Sequence, residues 1–359
     1  MIFEFLYAYI YYYVMGVIVV FYSITTFTSR FDAGTLKRQL NINGPLLFLF
    51  LVITFYMGLR PISIFFGDMG TYANTFNRIK YSPGSAGSGD FLFDWYMRIC
   101  APVMNDNTWF LLTAFLYIYP LYLISVRRGG KYAGYCFLML VVSFSFWTYG
   151  TNGIRNGLAT SIFIWALACN NVIIRWCLIF LAAGVHGSMN LLAGAYILTL
   201  FVKKPKLYFI GWLLAIPVSL VAGGFFQGLF AGVMDDGRTS YLTDGNVNND
   251  EFSSTGFRWD FLLYSAAPVY NAYYFIIKRN FNDKFYNQLV SIYLTANAFW
   301  ILVIKANFSN RFAYLSWFLM AIVIAYPWIK ERFHDKQTQK MVYILLAYFA
   351  FTFFMNAIL

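Results

Sequence analysis

Trp147 to Ala166 reads WTYGTNGIRNGLATSIFIWA, a polar, glycine-containing approach, one arginine, and then an apolar run. The run predicts a membrane helix over about 154–169, with a start near Thr151 or Asn152. Its unpaired N–H groups and the positive end of its dipole face the same water as Arg155. A cation in that first turn is unfavourable unless an anion joins it. Backbone donors at a helix start together with a guanidinium fork are a phosphate site in kind. An interfacial arginine that snorkels to the headgroups is the plainer alternative.

Working outward, the rest of the chain has the same character. It is 60% hydrophobic and 11% charged, with a mean hydropathy of +0.59, which excludes an ordinary soluble globule. Apolar runs of the length needed to cross ~30 Å of hydrocarbon recur throughout. No period-two alternation suggests a membrane β-barrel. The expectation is a single polytopic, all-α integral membrane domain over 1–359 with twelve spans, near 2–24, 44–59, 108–126, 132–149, 154–169, 172–186, 188–202, 207–230, 260–277, 286–304, 312–328 and 341–358. The first is expected to be a retained span, since neither a basic n-region nor a small-residue cleavage pattern flanks it. Cys100, Cys136, Cys169 and Cys177 form no C-x-x-C pair and have no metal-ligand spacing, so packing is their expected role.

Charge sorts the loops. One alternating set holds 17 of the 26 basic residues and is expected to be cytoplasmic, which turns both termini outward. The net charge of +11 is then topological and implies no nucleic acid. Eleven of the 15 acidic residues fall on the outer side, mostly in two long loops, about 60–107 and 233–259. The first contains SPGSAGSGD (Ser82 to Asp90), expected as a flexible piece between two segments that lie against the bilayer surface. The second is polar and turn-rich, either a lid or a connector. Glycines 224, 228 and 232 predict close helix packing. No phosphate-binding loop, dinucleotide fingerprint or H-E-x-x-H occurs, so ATP-driven transport and zinc hydrolysis have no support. No cofactor and no metal are expected.

Several polar groups are expected to converge on the outer side. His186, in GVHGSMN, sits at a chain reversal beside the mouth of the Arg155 helix. Arg311, in NFSNRFAY, opens a late span as Arg155 opens the fifth, with Ser309 or Asn310 as cap. Two such helix mouths could clamp both phosphates of a diphosphate, and Arg238 and Arg258 bracket the second outer loop and could close over it. Each has a blander alternative: an interfacial hydrogen-bonded histidine for His186, snorkelling for Arg311 and Lys305, solvated loop carboxylates rather than a cation site for Asp235 and Asp236, and an aromatic belt for Tyr11, Tyr12, Tyr13, Tyr72, Trp95, Trp109, Trp147 and Trp259.

GDMGTY (Gly67 to Tyr72, with Asp68), N-x-x-R-N-x-L-A (Asn152 to Ala159), H-x-S (His186 to Ser188) and N-R (Asn310, Arg311) together resemble the EpsG family of Wzy-type O-antigen and polysaccharide polymerases. The likeness runs from about 60 to 330. The family usually has Gln after the arginine, where Asn156 stands here. The resemblance implies a GT-C-like membrane glycosyltransferase of the bacterial inner membrane, active on the periplasmic face in polysaccharide or lipopolysaccharide biosynthesis. Its donor and acceptor would be undecaprenyl-diphosphate-linked oligosaccharides, with a chain-length regulator as a further partner. In that mechanism Arg155 and Arg311 hold the departing diphosphate, Asn152 and Tyr72 contribute to substrate binding, and Asp68 or His186 deprotonates the acceptor hydroxyl for displacement with inversion. A flippase for the same lipid-linked glycan and a membrane acyltransferase are the rival classes.

Overall fold

The computed structural model describes residues 3–28, 43–85, 87, 89–231, 256–306 and 309–358, and among these the chain forms helices and no strand. In order they are α1 (Leu6–Thr28), α2 (Asn43–Gly58), α3 (Met69–Tyr81), α4 (Phe91–Cys100), α5 (Asp106–Gly129), α6 (Ala133–Val141), α7 (Phe146–Thr151), α8 (Ile154–Ala168), α9 (Val172–Val185), α10 (Met189–Phe201), α11 (Pro205–Ala231), α12 (Trp259–Tyr273), α13 (Lys284–Leu302), α14 (Asn310–Lys330) and α15 (Gln337–Phe353). They group into two compact units, Met1–His186 with Trp328–Leu359, and Gly187–Pro327.

Among the described residues five helical stretches are long and apolar enough to cross a membrane: Leu6–Phe27, Asp106–Val141, Pro205–Leu229, Asn310–Lys330 and Gln337–Ile358. Helix occupies each of the twelve expected stretches, but several pieces are short. The 15 residues of α8 rise only ~22 Å, less than the ~30 Å hydrocarbon core. The expected span over 132–149 is broken into α6 and α7 by a turn at Val142–Ser145. A break in apolar surroundings frees backbone carbonyls that must find donors. The Tyr11 hydroxyl supplies one, donating to the Val141 carbonyl at the end of α6 at 2.6 Å; the Tyr117 hydroxyl donates to the Phe146 carbonyl at the start of α7 at 2.8 Å.

These tyrosines also revise the aromatic belt. Tyr11, Tyr12, Tyr72, Trp109 and Trp147 are buried, while Tyr13, Trp95 and Trp259 are exposed. Tyr11 packs on Trp147 with ring centroids 4.7 Å apart, so this part of the belt is core. The order of the α7–α8 turn depends on Gly157, where a Cβ would lie 2.4 Å from the Tyr149 carbonyl oxygen.

In the second unit α14 is the interior helix. Its apolar window is 83% buried, against 28% for that of α11. A neutral network ties four helices together: Trp212 Nε1 donates to Asn297 Oδ1 (2.7 Å), Asn297 Nδ2 donates to Ser265 Oγ and Ser316 Oγ (3.2 and 3.0 Å), and Trp317 Nε1 donates to Ser265 Oγ (2.7 Å). α11 carries Pro217 and leaves helical geometry at Ala222 (φ −122°, ψ 19°). The Lys305 ammonium donates to the Leu220 carbonyl beside that break at 3.3 Å. The packing expected of Gly224 and Gly228 is not found, because no described atom lies within 4 Å of where their Cβ would stand; Gly232 is outside the described residues.

Candidate functional site

Arg155 lies in the first turn of α8, two residues beyond Gly153, and is buried. The start is two or three residues later than the sequence pattern suggests, because α7 first uses 146–151 as a separate turn of helix. The anion that such a cation requires comes from the protein. Arg155 Nη1 donates to Asp90 Oδ2 at 2.5 Å, across 65 residues of sequence, and Nε donates to the Tyr72 hydroxyl at 3.1 Å. The guanidinium also stands 5.9 Å from the Tyr72 ring centroid. Snorkelling is thereby excluded for Arg155, whose side chain is 10% exposed. Removing the partner of such a buried pair costs ~3–5 kcal/mol.

Asp90 is the residue that sequence reasoning missed. It precedes α4 without capping it through its side chain, so its carboxylate is available to Arg155. Its other oxygen, Oδ1, faces His186 Nδ1 at 3.7 Å, longer than a hydrogen bond. His186 follows α9 in extended backbone and is buried. The SPGSAGSGD segment is clasped at its described residues by two side chains of α4. Arg98 donates to the carbonyls of Pro83 and Ser85, and Asp94 accepts from the Gly89 amide at 3.2 Å. A Cβ at Gly87 would fall 2.2 Å from the Asp94 carboxylate. The only signal in the sequence is the i, i+4 spacing of Asp90, Asp94 and Arg98, which puts them on one face of a helix.

Asp68 and Asn152 form the adjoining edge. The Asp68 amide donates to Asn152 Oδ1 at 3.0 Å, and the preceding Gly67 holds φ at +61°, where its missing Cβ would stand 2.3 Å from the same oxygen. Asn152 is thus occupied in holding the start of α3, from which Tyr72, four residues on, reaches Arg155. The Asp68 carboxylate is half-buried and makes no hydrogen bond to the Asp90–Arg155 pair.

The remaining candidates belong to the second unit or to neither. Arg311 opens α14 and is exposed. Ser309, expected as a possible cap there, uses its hydroxyl to donate to the Ile304 carbonyl at 3.0 Å. Arg258 forms a two-pronged pair with Asp260 (2.9 and 2.6 Å) and lies over the Phe261 ring at 3.9 Å. Arg238, Asp235 and Asp236 are outside the described residues. Of the eight predicted site residues, five (Tyr72, Asn152, Arg155 and His186, with Asp68 on the edge) therefore come together in one unit.

The helices and the buried ionic cluster define a polytopic membrane protein with a charged site at the start of a short helix. The sequence profile of the EpsG family matches residues 45–359, and the chain belongs to that family. No curated protein and no solved structure matches it.

Proposed function

We propose that the protein is a membrane glycosyltransferase that joins undecaprenyl-diphosphate-linked oligosaccharide repeats, with its site on the periplasmic side of a twelve-span, GT-C-like domain in the inner membrane. The observation that carries this reading is the Asp90–Arg155–Tyr72 cluster with His186 against it, in a chain of the EpsG family. Without substrate, Asp90 neutralises Arg155. A diphosphate that arrives at the guanidinium competes for the same donors, and the carboxylate it displaces is left facing His186. An imidazole beside a carboxylate is a better base, so His186 can take the proton from an acceptor hydroxyl. The hydroxyl oxygen then attacks the anomeric carbon, whose bond to the diphosphate oxygen breaks with inversion. Arg155 meets the charge that grows on the leaving group. Asp68 is placed second as base, since no hydrogen bond joins its carboxylate to the pair.

A flippase reading draws on one observation, the break in α11 at Ala222 with Lys305 beside it, because interrupted helices near charges mark transport pathways. Purified protein in detergent, supplied with a synthetic lipid-diphosphate-linked repeat unit, separates the two. Longer glycans without a second compartment are the expected product, and failure to extend the repeat would overturn the glycosyltransferase reading. In the same assay His186→Ala should retain donor binding and stop growth; if growth survives, the base is Asp68.

A further inference from the structure

Arg60 follows α2 with Pro61 behind it and is 2% exposed, among the largest fully buried side chains of the protein. No carboxylate pairs with it among the described residues. Burial lowers its pKa, but a guanidinium keeps its proton even in protein interiors, so it is a cation there. Its Nη1 donates to the Met57 carbonyl at 2.5 Å and its Nη2 to the Thr151 carbonyl at 3.1 Å. Both acceptors lie at helix ends: Met57 is the next-to-last residue of α2 and Thr151 the last of α7. Terminal carbonyls have no partner within their own helix and carry the negative end of the dipole. The rings of Phe66 and Phe110 add two faces, with centroids 5.4 and 5.6 Å from the guanidinium carbon. The cavity that Arg60 lines with Thr113, Tyr117 and Tyr149 is about 10 Å³, room for a single water and too small for a phosphate or carboxylate. Among the described residues the compensation is the two carbonyl ends and the rings, while Nε has no hydrogen-bond partner.

Thr151 is followed at once by Asn152, which holds the Asp68 amide, and then by Arg155. We propose that Arg60 is a positioning residue for the site: it welds the end of α2 to the α7–α8 break, and so sets where Asn152 and Arg155 stand. The catalytic part of this rests on the function proposed above; the mechanical part does not.

Hydrogen exchange on the full chain in detergent tests the weld directly. Arg60→Gln should raise exchange in 146–158 and 64–72 while α11 and α13 keep the wild-type rate. Arg60→Lys, which keeps the charge on a single point, should do so to a smaller extent and serves if the glutamine variant does not fold. Exchange that rises everywhere, or nowhere, overturns the proposal. In glycan elongation, Arg60→Gln alone should slow the reaction about a hundredfold, yet add less than about threefold in an Arg155→Lys background, because both act through one side chain. Full multiplication of the two losses would mean that Arg60 is structural only. If the wild-type protein makes no glycan, the function falls and the exchange result still decides the weld.

Discussion

Each unit buries a polar cluster, and the two clusters are built differently. Around Asn297 the members are neutral, fully buried, and joined donor to acceptor through Trp212, Ser265, Ser316 and Trp317. Around Arg155 an arginine–carboxylate pair, with Tyr72 and His186 against it, is partly reached by solvent and joined across a loop that Arg98 and Asp94 hold in place. A neutral network makes a packing unique at modest expense. A buried ion pair rarely adds stability over an apolar replacement of the same shape.

The sharpest way to break the comparison is to take one charge and leave the other. Asp90→Ala should lower the stability of the purified protein by ~3–5 kcal/mol and abolish elongation. Adding Arg155→Met should restore most of the stability and none of the activity. If the double variant is as unstable as the single one, the carboxylate is not the arginine's main compensation.

A smaller change keeps both charges. Arg155→Lys preserves the pairing with Asp90 as a point contact but loses the fork that reaches Tyr72 and Asp90 together. Elongation should fall about a hundredfold, the size of losing one aligned donor to a developing anion, while the unfolding midpoint moves little. A rate within a few-fold of wild type would remove Arg155 from the reaction.

The neutral cluster should give the opposite pattern and the smallest effect on rate. Asn297→Ala leaves the Trp212 indole N–H without its acceptor and should cost ~1–3 kcal/mol in unfolding experiments. Turnover per folded molecule should be unchanged. A fall in turnover larger than the loss of folded protein would mean that the two clusters are not separable in this way.

The sequence by itself determined the class of protein and the positions of most helices, and it singled out Arg155 as a cation in want of an anion. Those follow from local properties: the length and polarity of each run, and a cation placed in a first turn. The departures all arise where a contact spans the chain. α6 ends at Val141, whose carbonyl is met by a tyrosine 130 residues away in the chain, Tyr11. Asp90, one of eleven outer acidic residues in a count of charges, is chosen by the fold of a loop that ends 65 residues before its partner. Arg60 looked like any other loop cation, yet two helix ends and two rings surround it. Hydropathy reports what a segment prefers as solvent, whereas the partner of a buried charge is decided by which backbones pack against it, and only tertiary structure contains that.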